Sequence, residues 1–383
     1  MAIEVKDHFY FSFSVGDLED FLGVDTLDRF RVIERAGNRL PEFDFAFKTN
    51  DDSVLANINE SINISVRYGK TKEGLSVSTL NPVTMETMKV GSNLRLIGMT
   101  GFLASLGYQN NAEKETYPSK KASEVIYEVV NRHFKTNNIE IDESDDDSMT
   151  WIQPNHIDKR FVSDVWLHSN YGNSFPVVGI TMDEKFLLKD FRKLAAKQPY
   201  DWRLITGTMT DPAKDIPLDG DIFIKSRAGM INSWVGYGRK KLVFNLEDGD
   251  SELIDEEVQN IIAETDGLSR RADIESRLAK MGVLNDNCHE YYWRAYQWNI
   301  SNLAVFSSLQ GHAAFSGFFE PVRVLNVVEY NEDQTDTLSE LREDHVSGRY
   351  IVTRVVRTLA AGNLSTVLQF CRESMNDLKG DVR

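Results

Sequence analysis

Residues 347–374, SGRYIVTRVVRTLAAGNLSTVLQFCRES, restrict the fold of this chain more than any other stretch. In the first half Tyr350, Val352, Arg354 and Val356 fall on one side and Ile351, Thr353, Val355 and Arg357 on the other, the period of two that a strand demands. In the second half Leu364, Thr366, Leu368 and Phe370 alternate with Ser365, Val367, Gln369 and Cys371. The connection Ala361-Gly362-Asn363 supplies residues that tolerate positive φ, as a short hairpin loop requires. Apolar side chains occur on both faces, so one face is expected to meet the protein's own core and the other another subunit. On this reading Tyr350, Val352, Arg354, Val356, Arg357, Leu364 and Leu368 are the candidate subunit-interface residues.

A chain of 383 residues is too long for one comfortable core, and two to four subdomains are expected. The formal net charge of −16 argues against a surface that grips nucleic acid by neutralising phosphates, which needs clustered Lys and Arg. Cys288 and Cys371 stand far apart and in no CxxC spacing, so both read as buried small hydrophobes rather than a disulfide or zinc framework. The opening MAIEVKDHFYFSFSV lacks a basic stretch followed by an apolar one, and no run approaches a membrane span. The chain is therefore expected to be made in a cytosol and kept there, or exported without a cleaved signal.

Along the chain the hydrophobic period changes twice. Strands are expected at His8–Val15, Val24–Ile33, around Phe43, Phe45 and Phe47, at Ile58–Tyr68 and at Leu94–Met99, so residues 1–100 read as a first β-barrel or sandwich. Helical spacing of Val125, Ile126, Val129 and Val130, with Ser119 or Ser123 as cap, opens a small α+β unit at 101–190. In it a turn at Trp151–Asn155 precedes a helix from Ile157 to Ser169, and a strand at Phe175–Thr181 turns at Met182-Asp183-Glu184. Residues 191–330 return to strands, best at Asp221–Lys225 and Lys241–Leu246, with a surface helix or flexible connection at Ser251–Met281. The aromatic stretch 288–306 fits a helix or a strand pair, Pro321–Val328 fits a strand, and residues 331–383 supply the C-terminal strands.

Candidate chemistry is sparse. Asp142, Glu143, Asp145, Asp146 and Asp147 lack the glycine and terminal glutamate of a calcium loop and read as a solvated acidic loop. Cys288-His289-Glu290 has adjacent, diverging side chains and no second ligand pair nearby, so a structural role is favoured. Gly229, Gly236 and Gly238 form neither a dinucleotide nor a phosphate-binding motif. The pairs Glu256-Glu257 and Asp219-Asp221 could serve a glycosidase, but in a chain with 59 carboxylates such pairs arise by chance. Tyr291, Tyr292, Trp293, Tyr296 and Trp298 could hold a sugar or a partner, though this spacing suits core or interface better. No catalytic residue, metal site or cofactor is expected.

The order of parts carries a resemblance. A β-rich block, a helix with ASEVIYEVV, the WIQPN segment, the helix HIDKRFVSDVWLHSNYG, a strand-turn-strand and the late SGRYIVTRVVRTL hairpin succeed one another. The matches are strongest over Met149–Gly172 and Val346–Phe370, where Ser347, Gly348, Tyr350 and Val352 form S-G-x-Y-x-V. The chain thus resembles the central baseplate hub proteins of contractile-tailed bacteriophages, which are related to the N-terminal part of the type VI secretion spike protein VgrG. The resemblance implies a β-rich α+β fold: two tube-type β-barrel domains with an inserted small α+β domain. It also implies a non-enzymatic homotrimer in the virion baseplate, joining the hexameric tail tube protein to the trimeric spike protein, beside other baseplate proteins. Such a ring would pass DNA without binding it, and the acidic balance suits that, because carboxylates lining a bore repel phosphates. A cell-wall hydrolase or carbohydrate-binding tail enzyme is the alternative.

Overall fold

The computed structural model describes residues 3–5, 9–16, 22–56, 58, 62–70, 75–91, 94–103, 106–205, 211, 214–220, 222–226, 240–244, 251–255, 288–289, 291–306, 309–317, 321–330 and 348–372. The N-terminal block comprises β1 (Ile3–Val5), β2 (Phe9–Val15), β3 (Leu27–Arg35), β4 (Glu42–Thr49), the short helix α1 (Asp52–Ala56), β5 (Ile64–Gly69), β6 (Ser76–Val90) and β7 (Leu94–Leu103). Alternation of aromatic and small residues drives it. Phe9, Phe11 and Phe13 of β2 turn inward with Phe30 of β3 and Phe43, Phe45 and Phe47 of β4. Phe13 packs edge to face on Phe45 at 4.9 Å, and Phe30 does the same on Phe45 at 6.1 Å. At about 1.5–3 kcal/mol for each buried ring, this cluster is a main source of the block's stability. The long β6 has no counterpart in the sequence reading: the polar run of SVSTLNPVTMETMKV and its proline hide a 15-residue strand.

The second part holds α2 (Gly107–Asn110), β8 (Ala112–Lys120), α3 (Ala122–Val130), β9 (Ile139–Ile141), β10 (Met149–Ile157), α4 (Asp158–His168), β11 (Pro176–Ile180), β12 (Phe186–Asp190) and α5 (Phe191–Ala195). Val125, Ile126, Val129 and Val130 meet Phe161, Val162 and Val165 across the α3–α4 contact, as their helical spacing predicts. Trp151–Asn155 is not a turn. It lies in β10, paired with β8, where a register shift at Pro154/His156 and a positive φ at Asn155 absorb the proline as a bulge. The cap of α3 also differs from expectation. It is Lys121, whose N–H is accepted by Glu124 at 2.9 Å, while Asp147 accepts the Ala122 N–H at 3.1 Å.

The remainder comprises β13 (Trp202–Ile205), β14 (Asp215–Pro217), β15 (Phe223–Ser226), β16 (Lys240–Phe244), β17 (Ser251–Asp255), the helix α6 (Tyr292–Phe306), β18 (Leu309–Ser316), β19 (Val327–Tyr330), β20 (Gly348–Ala360) and β21 (Asn363–Arg372). Ser251 therefore opens a strand, not a helix, and pairs with β16; residues 256–287 lie outside the described set. The expected strand at Pro321 starts only at Val327. Val322 and Val324 ahead of it are fully buried in irregular chain.

Among the described residues one 14-stranded sheet joins the first block to the last, in the order β1-β2-β5-β6-β7-β4-β3-β20-β19-β13-β14, with β21, β18 and β15 branching from β20. The architecture is β-rich with helices gathered in the middle part, in line with the expected α+β class. Strand β20 is the junction. Arg354–Ala360 pair with β3, Gly348–Ile351 with β19, and the other edge carries β21. The hairpin turn is Ala361-Gly362, both at positive φ, as the sequence anticipates. At the junction Glu34 and Arg357, each with no exposed side-chain surface, form an ion pair at 2.9 Å. Arg357 also donates to the Val322 carbonyl, and Glu34 accepts the Val324 N–H at 3.3 Å.

Two outcomes follow from these contacts. Glu34→Leu leaves a buried guanidinium uncompensated and should cost about 3–5 kcal/mol in urea denaturation, whereas Glu34→Leu with Arg357→Met should recover most of that loss. Ala361→Asn places a residue that tolerates the left-handed region at φ +50 and should raise the denaturation midpoint, by about 0.5–1 kcal/mol in stability.

Candidate functional site

The hairpin does not keep one parity along β20. Val352 pairs with Phe370 but Arg354, not Thr353, pairs with Gln369, so Thr353 is an extra residue in the ladder. Its carbonyl instead accepts the Ala36 N–H at 2.8 Å. Beyond this bulge the faces exchange. Tyr350 and Val352 share the inner face with Val355, Arg357 and Leu359, while Arg354, Val356 and Thr358 face the other way. The even-numbered grouping of Tyr350, Val352, Arg354 and Val356 on one face is thereby corrected.

Burial divides the seven candidate interface residues. Tyr350, Val352, Arg357 and Leu368 are fully buried within the single chain and have no surface for a partner. Arg357 in particular is committed to Glu34, and burial pulls its pKa below the ordinary arginine value while Glu34 opposes that shift. Leu364 packs half-buried on the first core. Arg354 and Val356 lie on the outer face, where Ile33, Val356, Val367 and Ala314 line up across β3, β20, β21 and β18. Val367 is 42 % exposed. Val356 in this row is itself buried, so Val367 is the part of it that a second molecule could touch.

A larger accessible surface lies at the far side of the sheet. Residues 76–80 of β6 pair with β5, but residues 81–90 pair with β7 alone among the described strands. Among the described residues no strand covers their outer backbone edge, and Val83, Met85, Met88 and Val90 are exposed along it. An unpaired edge bearing apolar side chains is a template for strand addition. Neither alternation nor turn chemistry marked it, because the segment carries no inward-facing period of its own.

The aromatic segment resolves as α6 on the surface of α4. His168 stacks between Tyr292 and Tyr296 at centroid distances of 4.0 and 4.6 Å. Trp298 is buried and donates to the Ser174 carbonyl at 2.7 Å, and Asn299 donates to the carbonyls of Leu167 and Ser169. Tyr292, Tyr296 and Trp298 therefore serve as intrachain packing, while the Trp293 side chain lies outside the described set. His289 sits beneath it, its Nε2 donating to the His168 carbonyl at 3.0 Å and its Nδ1 buried without a hydrogen-bond partner. Burial pulls its pKa down to about 4. Cys288 is half-buried and Cys371 buried, and neither is in a disulfide. In the acidic loop, Asp147 is buried and holds the Ala122 and Asn170 N–H groups and the Ser144 hydroxyl; burial lifts its pKa to about 6 against those bonds. The pair Glu256-Glu257, Asp221 and the glycines Gly229, Gly236 and Gly238 lie outside the described residues. Among the described residues no helix is long and apolar enough to cross a membrane.

No family profile and no curated protein sequence matches this chain. Solved structures do match, over nearly its whole length. The tail protein of Neisseria meningitidis superposes with a TM-score of 0.54 at 10 % identity, covering 95 % of this chain and 97 % of its own. The chain shares the tail-protein fold. The 43 kDa tail protein of the Shewanella oneidensis prophage MuSo2 gives 0.51 at 7 % identity, covering 95 % and 96 %. A Francisella PdpA–VgrG complex also gives 0.51, at 6 % identity, covering 95 % of this chain and 58 % of the other. Within the tail-protein fold, phage tail and VgrG-related structures thus stand together, as the order of parts in the sequence implies.

The buried histidine makes the docking of α6 sensitive to acid. With a folded pKa of about 4 against an ordinary 6.5, the unfolded chain binds more protons between those values, so stability is held above pH 6.5 and lost as the pH falls toward 4. Asp147 acts in the opposite sense, losing stability as the pH rises through about 6. Urea titrations followed by tryptophan fluorescence should show His289→Gln flattening the acid-side loss while leaving the slope from Asp147.

Proposed function

We propose that this chain is a structural tail subunit, a baseplate hub whose copies associate through their sheets into a trimeric ring. Two tube-type β-barrel domains per copy would give that ring pseudo-sixfold symmetry, matching a hexameric tail tube on one side and a trimeric spike on the other. The observation that carries the reading is the edge of β6 at residues 81–90, left open among the described residues with Val83, Met85, Met88 and Val90 exposed, in a chain that matches tail-protein structures over 95 % of its length. Strand addition along that edge would satisfy its backbone groups and cover its apolar side chains in one step. The exposed Val367, with the half-buried Leu364 beside the turn, is a second surface for the same assembly. A net charge of −16 suits a conduit for DNA that must not retain it. On this reading the protein works in the virion tail, its partners are its own copies, tube and spike proteins and neighbouring baseplate proteins, and it catalyses nothing.

Mass photometry of the purified chain should give a trimer or multiples of one, and electron micrographs should show threefold rings with a central pore. Met85→Lys with Met88→Lys, both exposed positions, should leave the circular dichroism spectrum unchanged and convert the ring to monomers. A wild-type monomer that clears peptidoglycan in a zymogram would overturn the reading in favour of a cell-wall hydrolase.

A further inference from the structure

Where the helical part meets the sheet, a cavity of about 360 Å³ opens between β3, the bulge in β20, β11, α4 and α6. Its volume lies in the range of small-molecule pockets, about 300–1,000 Å³. One side is apolar, with Trp166, Leu303 and Phe306 among its walls, and the other presents Arg35, Arg354 and Gln369. Arg354 is brought there by the bulge: without the extra residue at Thr353 it would fall on the face of Val352.

The charges around Arg354 do not balance. Its Nε is buried and has no hydrogen-bond partner among the described residues. Directly opposite it in the ladder stands Arg35, a second cation. Glu42, the carboxylate whose field reaches Arg354, is bound by Arg35 at 2.6 Å, and the next carboxylate on β4, Asp44, is bound by Arg29 at 2.9 Å. Burial, with Arg35 and Arg31 nearby, holds the guanidinium below its ordinary pKa, the sign expected of a cation short of counter-charge. A guanidinium in this setting is a fork for a planar anion.

We propose that this cavity binds a small amphiphilic carboxylate, with its head group on Arg354 and its apolar body against Trp166, Leu303 and Phe306. A carboxylate fits better than a phosphate dianion, because three apolar walls penalise the second charge and one fork is available to meet it. The site is independent of ring assembly, since its walls come from one chain.

Isothermal titration of the intact protein with decanoate, kept below its micelle concentration, and with decanol as the same body without the charge, tests this. Decanoate should saturate one site per chain and bind about tenfold or more tightly than decanol. Arg354→Gln should reduce decanoate to the level of decanol, and Arg354→Lys should restore part of the difference, with circular dichroism unchanged in both. Absence of decanoate binding, equal affinity for decanoate and decanol, or undiminished binding to Arg354→Gln would each overturn the assignment. The decanoate–decanol comparison on the wild type decides it without reference to any variant.

Discussion

The ion pair between Glu34 and Arg357 joins residues 323 positions apart, and the sheet is continuous because of where it sits. A buried pair is a poor source of net stability, since desolvating two charges costs roughly what their attraction returns. What it supplies is register. A guanidinium buried at this junction must find its carboxylate, and only one alignment of β20 against β3 provides it without stranding both charges. The same pair holds the irregular chain at 321–326 through the Val322 carbonyl and the Val324 N–H, so three segments distant in sequence are fixed by four polar groups.

Much of this was legible in the sequence. The two arms of the C-terminal hairpin, the aromatic alternation of β2 and β4, and helices α3 and α4 follow from period and turn chemistry alone. The resemblance to tail hubs rested on the order of these parts, which survives when identity has fallen to a tenth or less. What the sequence hid has physical causes. A bulge is one residue long and leaves no mark on a period-two pattern, so the exchange of faces at Thr353 could not be read from residues that are apolar on both sides. Strand β6 was invisible because its outer half is exposed all round, and a strand with no buried face has no hydrophobic alternation to detect. Arg357 was expected at a subunit interface, and no local pattern marks Glu34, 323 positions away, as its partner.

Close packing explains two glycines that carry no motif. A Cβ on Gly311 would lie 2.0 Å from the ring of Phe370, its cross-strand partner, and one on Gly101 would lie 2.1 Å from the Asn81 carbonyl. Both sit in strands, where glycine is normally a cost, and both let a neighbour occupy the space of a side chain.

Strand β20 also sets an order of events. The strand that covers the open side of β3 is made some 320 residues after it, an interval of some tens of seconds at ordinary rates of synthesis. Until then β3 has its β4 partner but not its β20 partner, and an uncovered edge is a liability for association with a neighbouring nascent chain. The charged run Arg29, Arg31, Glu34 and Arg35 along that strand is thus more than half of a later register: it guards the edge until its partner has been made.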